Sequence, residues 1–402
     1  MSNQMKKSLL ALAVLGAFAA SAQAQSSVTI YGIVDAGATY QSKSGVNNNG
    51  LFAVESGLMS GSRLGFKGTE DLGGGLKANF VLESGFNTDT GAMSGQDFSG
   101  SSNLFRRTST VGLSGGFGAI NIGRQTDFAY SGTNGGTAMY STAGYLGVFS
   151  SSNGTTQARL QGDRTNNSIR YDMPAVGGLT GGVMLGLGEQ AGAGSAGQAY
   201  AAGLKYDNGP LSFGGSYYQS KEGATPADRN LYGATAAGQP VGTTGVKTFT
   251  LGASYVMGAG KLYGSWSRVK MATLATATGL TFNSGAGNSA SNLAGTPASA
   301  NDKLDIYEIG YNYDLTASLK LLTGFTHTRA NFTTGDPKGK VNQLLIGTDY
   351  FLSKRTDFYA VATYMRSSDV ANPLKLDITT ANSSTNTTGG AYGLGVGIRH
   401  AF

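Results

Sequence analysis

The sequence has no cysteine, 7 prolines, 1 tryptophan and 2 histidines in 402 residues. Without cysteine there is no thiolate metal site, disulfide scaffold or cysteine nucleophile. Charged residues make up 13% of the chain, about half the usual ~25%. The net charge of +6 is small and dispersed, unlike the clustered Lys/Arg of a nucleic-acid surface. After Ala24 no uncharged apolar run reaches the ~20 residues that a membrane-spanning helix requires. His327 and His400 both fall on strand-like segments, and two such histidines supply neither an oriented Ser-His-Asp base nor convergent metal ligands. An enzyme is not expected, nor a cofactor, a metal or a nucleic-acid partner.

Glycine is what the chain has instead, at 64 residues, more than double the usual ~7% share. Each costs about 1 kcal/mol relative to alanine inside a helix, which excludes a helical bundle. The lack of a G-X-Y period excludes collagen. Twenty Tyr and 18 Phe exclude a disordered chain, because such chains are poor in aromatics. The fold class left is all-β.

Residues 1–24 carry Lys6 and Lys7, an uncharged run from Ser8, and Ala22-Gln23-Ala24. A basic start, a short apolar run and an A-x-A site are the marks of a secretory signal peptide. The expected division is therefore 1–24 as leader and 25–402 as a single β domain, with Gln25 first after processing.

A period-2 template finds sixteen segments in that domain. They are 28–40, 62–72, 76–87, 105–115, 118–128, 165–174, 179–190, 198–209, 211–221, 247–258, 261–271, 303–316, 318–331, 340–353, 356–368 and 390–402. The last is the clearest: Tyr392, Leu394, Val396, Ile398, His400 and Phe402 alternate with Gly393, Gly395, Gly397, Arg399 and Ala401. Tight turns such as Leu72-Gly73-Gly74-Gly75-Leu76 alternate with long connections at 88–104, 129–164, 222–246, 272–302 and 369–389. An even strand number with short turns at one end and long loops at the other describes an antiparallel transmembrane β-barrel. Small or charged faces then line the lumen: Arg63, Gly65 and Lys67 oppose Leu64 and Phe66, and Glu308, Gly310 and Asn312 oppose Tyr307, Ile309, Tyr311 and Tyr313. Such charges imply water inside, since a dry core would make each costly. Aromatics near segment ends (Tyr31, Tyr40, Tyr217, Tyr255, Tyr350) fit the two membrane interfaces. Two segments are less regular. Arg124 is in phase with Ile120 and Ile122, so 118–128 needs a bulge or a strand end there, and the faces of 261–271 cannot be assigned. Gly192, Gly194 and Gly197 satisfy G-x-G-x-x-G, but a strand pattern follows where a nucleotide site needs a helix.

Several stretches resemble the general porins of Gram-negative bacteria, above all the β-proteobacterial (Neisseria- and Burkholderia-like) ones. They are Val28-Thr29-Ile30-Tyr31-Gly32, Ser62 to Gly73 (SRLGFKGTEDLG), Val111-Gly112-Leu113, Ile122-Gly123-Arg124-Gln125, Asn166 to Tyr171 (NNSIRY) and the terminal Arg399-His400-Ala401-Phe402. The likeness runs from the leader to Phe402. It implies sixteen antiparallel strands, a homotrimer, a third extracellular loop (129–164) folded inward to constrict the pore, and basic residues on the wall facing it. On the matching positions those residues are Arg63, Arg107, Arg124 and Arg164. Phe402 matches the terminal aromatic that such barrels present to the assembly machinery. The implied surroundings are outer-membrane lipid and lipopolysaccharide, and the implied cargo is ions and small polar solutes.

One departure from the enteric pattern is informative. Residues 128–162 contain no Asp or Glu; Arg159 is the only charge, with Asp127 and Asp163 at the edges. Uncompensated arginines at a constriction favour anions, so a mild anion preference is expected. Lys67 and Lys77 on lumen faces add to it, Glu83, Asp172 and Glu308 temper it, and Arg170 also faces the lumen. Two other readings share the barrel: a substrate-specific channel with a binding site along the lumen, and a non-conducting surface barrel or adhesin.

Overall fold

The computed structural model describes residues 27–44, 49–93, 103–128, 164–221, 244–271, 280–282, 291–293, 303–331, 338–368 and 389–402. The leader, Arg159, Asp163 and the rest of 129–163 lie outside them. The described residues form nineteen strands. The first half holds β1 (Ser27–Ser44), β2 (Asn49–Ser56), β3 (Arg63–Gly73), β4 (Leu76–Gly85), β5 (Thr108–Gly115), β6 (Gly118–Thr126), β7 (Arg164–Asp172), β8 (Leu179–Gly186) and β9 (Ala199–Asn208). The second holds β10 (Leu211–Lys221), β11 (Thr244–Met257), β12 (Gly260–Met271), β13 (Leu280–Phe282), β14 (Ser291–Leu293), β15 (Lys303–Asp314), β16 (Leu319–Asn331), β17 (Lys338–Phe351), β18 (Thr356–Ser368) and β19 (Gly389–Ala401).

Seventeen of these form one antiparallel sheet, and β13 pairs only with β14. β2 and β3 lie end to end along one edge of β1: Ala36–Ser44 pairs with β2 and Ser27–Ile33 with β3. The seventeen strands therefore fill sixteen wall positions. The other edge of β1 pairs with β19 from Ile33↔Ala401 to Gln41↔Gly393. That pairing closes the barrel and leaves no open edge.

The alternation read from sequence is the alternation of the wall. Val111, Ile122, Val183, Ile309, Leu344 and Val396 point outward and are all more than half exposed. A contiguous apolar exterior of that kind belongs in lipid. The segment 49–56 escapes the period-2 template because Leu51 and Ala53 back onto Phe52 and Val54, so four consecutive residues are apolar before Glu55 marks the inner face. In β12, Leu262 and Trp266 face out while Tyr263, Ser267 and Val269 are buried inside. An aromatic on each face is what hides that assignment. The stretch 272–301, which reads as plain loop, contains the β13–β14 hairpin.

Closure ends on Phe402. Its N–H donates to the Gly32 carbonyl, and the Gly32 N–H donates to the Phe402 carbonyl, each at 3.1 Å. A Cβ on Gly32 would lie 2.3 Å from the Phe402 ring and 2.6 Å from the Arg63 carbonyl. Gly32→Val is therefore expected to lower the refolded fraction at least severalfold, read as the folded band in unheated SDS gels. A wild-type yield would mean that this seat is not needed for closure.

Candidate functional site

The inner wall of β1, β3 and β4 carries a carboxylate set among arginines. In the β3–β4 register Gly65 stands opposite Glu83. Gly65 has no side chain, so the Tyr31 ring of β1 lies over it and the Tyr31 hydroxyl donates to Glu83 Oε2 at 3.1 Å, which puts Tyr31 on the inner wall and not at a membrane interface as its place near a segment end suggests. Arg107 donates from Nε to Glu83 Oε1 at 2.7 Å, with both side chains about nine-tenths buried. Arg63 is aimed by its own Nε, which donates to the Gly61 carbonyl at 3.0 Å. Arg63 and Arg164 both lie within electrostatic reach of Glu83. Three of the four arginines singled out in the sequence thus lie around one carboxylate.

Arg107 is not on a strand, as the segment 105–115 implied; β5 begins at Thr108. The reason lies in the Arg106-Arg107 pair. Neighbours on a strand face opposite sides, so one arginine of an in-strand doublet would face lipid. Leaving the strand lets Arg106, 5% exposed, stay buried as well. Arg106 is absent from the residues singled out in the sequence, although the doublet is its signal.

Arg124 is directed elsewhere. A register shift lies between Gly123 and Gln125, and Gly123 has φ +131°, a conformation open chiefly to glycine. At this irregularity Arg124 donates to the Arg106 carbonyl and to Asn166 Oδ1, which ties β6 to the start of β7. Arg170 binds its neighbour Asp172 with Nη2–Oδ1 at 2.6 Å and stacks on the Phe128 ring at 4.2 Å. That pair is largely self-neutralised.

Lys67 lies 5.2 Å over the Tyr31 ring. Lys77 stands opposite Asp71 beside the tight turn. Glu308 accepts a hydrogen bond from Ser265 Oγ at 3.4 Å, across the barrel from Glu83.

The chain leaving β6 turns into the barrel. Asp127 is 1% exposed, and Phe128 is fully buried with Met184, Ala199, Ala201 and Tyr218 of the inner wall. Phe128 thus ends this described stretch inside the barrel.

A second inner cluster was not legible from the sequence. Asp35 of β1 accepts from the backbone N–H of Met59 (2.9 Å) and Ser60 (2.6 Å) and from the Tyr359 hydroxyl (2.5 Å). Beside it Arg399 binds Asp357 at 3.0 Å and Asp349 at 3.3 Å, and its Nη1 donates to Ser60 Oγ. The two ends of this cluster are far apart in the chain and meet only because β19 closes on β1.

A profile of the Gram-negative porin family matches residues 11–370. Outer membrane porin protein 32 of Delftia acidovorans is 33% identical over 99% of this chain and 100% of that protein. An outer membrane porin protein of Bordetella pertussis is 31% identical, again over 99% and 100%. Among solved structures, an anion-selective porin from Comamonas acidovorans superposes with a TM-score of 0.68 at 28% identity, covering 94% of this chain and 100% of that one.

Proposed function

Because the chain belongs to the Gram-negative porin family and is an outer-membrane β-barrel, we propose that it forms a water-filled passage for diffusion of small hydrophilic solutes and ions, with a mild preference for anions. The observation that carries the preference is the group around Glu83, where Arg63, Arg107 and Arg164 outnumber the carboxylate three to one. A local excess of positive charge beside a narrow aqueous path raises anion concentration there and lowers that of cations. The inward turn at Asp127–Phe128 supports the reading of 129–164 as the segment that sets the size cutoff. A solute keeps most of its hydration, and neither cofactor nor energy source takes part. The anion-selective title of the Comamonas relative agrees with this reading. The proposal includes a leader ending at Ala24 and a homotrimer.

The test is the zero-current potential of the refolded protein in a planar bilayer under a KCl gradient. The potential should have the sign of chloride permeation. The opposite sign would overturn the charge account, and no conductance from folded protein would favour the surface barrel. Conductance that saturates with one solute would favour the substrate-specific channel. In the same assay Glu83→Gln should raise the chloride-to-potassium permeability ratio about two- to fourfold, since it removes one unit of opposing charge. A lowered ratio would show that Glu83 acts mainly by holding Arg107 in place.

A further inference from the structure

One buried carboxylate of the inner wall stands apart from the rest. Glu55 closes the inner face of β2 and is 5% exposed, yet neither of its oxygens has a hydrogen-bond partner. No lysine or arginine forms an ion pair with it among the described residues. The other carboxylates of this part of the wall are provided for. Asp35 takes three donors, Glu83 takes Arg107 and Tyr31, and Asp349 and Asp357 share Arg399. The near side of Glu55 is also dry. Its direct neighbour across the ladder is Gly37, and the space a Cβ would take there is filled by Leu58 Cδ1. A bare carboxylate in such a place is costly unless a positive charge meets it.

The surroundings add negative charge where they should remove it. Asp89 lies within electrostatic reach of Glu55, and its turn is fastened in place. The Thr88 N–H donates to Ser56 Oγ at 2.8 Å, and Thr88 Oγ1 donates to the Asp35 carbonyl at 3.1 Å. The Asn87 N–H donates to the Ala92 carbonyl and the Gly91 N–H to the Asn87 carbonyl, each at 2.8 Å. The fold therefore fixes a second carboxylate beside the first, and like charges held together raise the cost of leaving both uncompensated. The Thr39 hydroxyl of β1, itself buried, lies beside Glu55 as well. Oxygen-bearing side chains from β1, β2 and the turn after β4 thus meet at one point. Asp89 is exposed, which leaves one side open to water. An all-oxygen set with two carboxylates and an open side suits a hard divalent cation that completes its shell with water. A proton on Glu55 is the competing occupant, and it needs neither Asp89 nor Thr39.

We propose that Glu55 and Asp89, with the Thr39 hydroxyl, form a calcium-class divalent-cation site on the inner wall. Its occupancy has a consequence for the pore. Glu55 stands opposite Gly37 and Arg63 opposite Ile33, four residues apart along β1, or roughly 13 Å. A bound divalent ion cancels two negative charges at that range from the arginines and so strengthens the anion preference. This consequence rests on the diffusion-channel reading above, whereas the site rests on the carboxylates alone.

The experiment titrates calcium chloride into full-length protein refolded in detergent, freed of divalent ions by chelator and kept in KCl. Calorimetry should show one saturable site per chain with a dissociation constant on the order of 1 mM or below. Glu55→Gln should weaken it at least tenfold. Asp89→Asn, an exposed change that leaves the wall intact, should weaken it about tenfold and covers the case in which Glu55→Gln folds poorly. The same preparations are then measured in planar bilayers under the KCl gradient. A few millimolar calcium should raise the wild-type chloride-to-potassium permeability ratio about twofold and leave the Glu55→Gln ratio where it is. No saturable binding up to 10 mM, as a protonated Glu55 would give, overturns the site, and so does equal binding by wild type and either variant. A saturable site in a protein whose potential has the sign of potassium permeation keeps the site and overturns the channel's charge account instead, so the two failures are told apart.

Discussion

Replacing Arg63 and Arg107 together by serine is expected to abolish most of the anion preference. Among Arg63, Arg107, Arg164 and Glu83 there are three cations and one carboxylate; the double variant leaves one of each in that set. A unit charge 5 Å from a permeating ion is worth about 0.8 kcal/mol even at the dielectric constant of water, roughly fourfold in local ion concentration. Two such charges multiply to about sixteenfold, so the chloride-to-potassium permeability ratio should fall toward one. Lysine at both positions should retain most of the preference, because selection here depends on charge rather than on bidentate geometry. The wild-type preference should also shrink as KCl rises from 0.1 to 1 M, where the screening length drops from about 10 to 3 Å. A double serine variant with an unchanged potential would place the selective charges elsewhere. Arg106, buried in the same segment, would be the next to neutralise.

The wall is legible in the sequence because a barrel in lipid states its period twice, once as apolar residues outside and once as small or charged ones inside. The period alone predicts β10 and β18 with their observed ends. The wall is illegible where one of the two statements is absent. In β2 Leu51 to Val54 are apolar on both faces and only Glu55 marks the inner one, and in β12 both faces carry an aromatic. The site is legible in part for a related reason. Single positions such as Arg63 and Glu83 follow from alternation along one strand, but partners follow from register, which alternation does not set. The Gly65 gap that admits Tyr31 to Glu83 exists only once β1, β3 and β4 are aligned. Arg124 shows the same limit. Its phase with Ile120 and Ile122 demands an irregularity, and one occurs at Gly123–Gln125, but nothing in the sequence says that the side chain reaches the Arg106 carbonyl.

Asp35→Ala is expected to destabilise the barrel on the order of 3–5 kcal/mol, through three donors left without an acceptor. Asp35 is fully buried and holds the six residues between β2 and β3. Its Oδ2 takes both the Met59 and Ser60 N–H groups, and its Oδ1 takes the Tyr359 hydroxyl. Those six residues connect two segments that share one edge of β1, where only Val34 and Asp35 separate the two pairings. The surplus chain must leave the wall, and it goes inward. Leu58 packs against the inner face at Gly37, and Ser60 Oγ accepts from Arg399. Without the carboxylate, two backbone N–H groups and a phenol stay in a crowded inner cluster, while Arg399 keeps its ion pairs with Asp349 and Asp357. The midpoint temperature for loss of the folded band in SDS gels should therefore drop by many degrees. The current through open channels should become noisier as residues 57–62 come off the wall. Tyr359→Phe removes one donor together with its bond to Asp35, so its effect should be much smaller, about 1 kcal/mol. It should also be smaller still in the Asp35→Ala background, because the bond it deletes is already gone. Equal midpoints for Asp35→Ala and wild type would mean that the inward segment is held by Leu58 and Arg399 instead, and the Arg399→Gln variant would then show the larger loss.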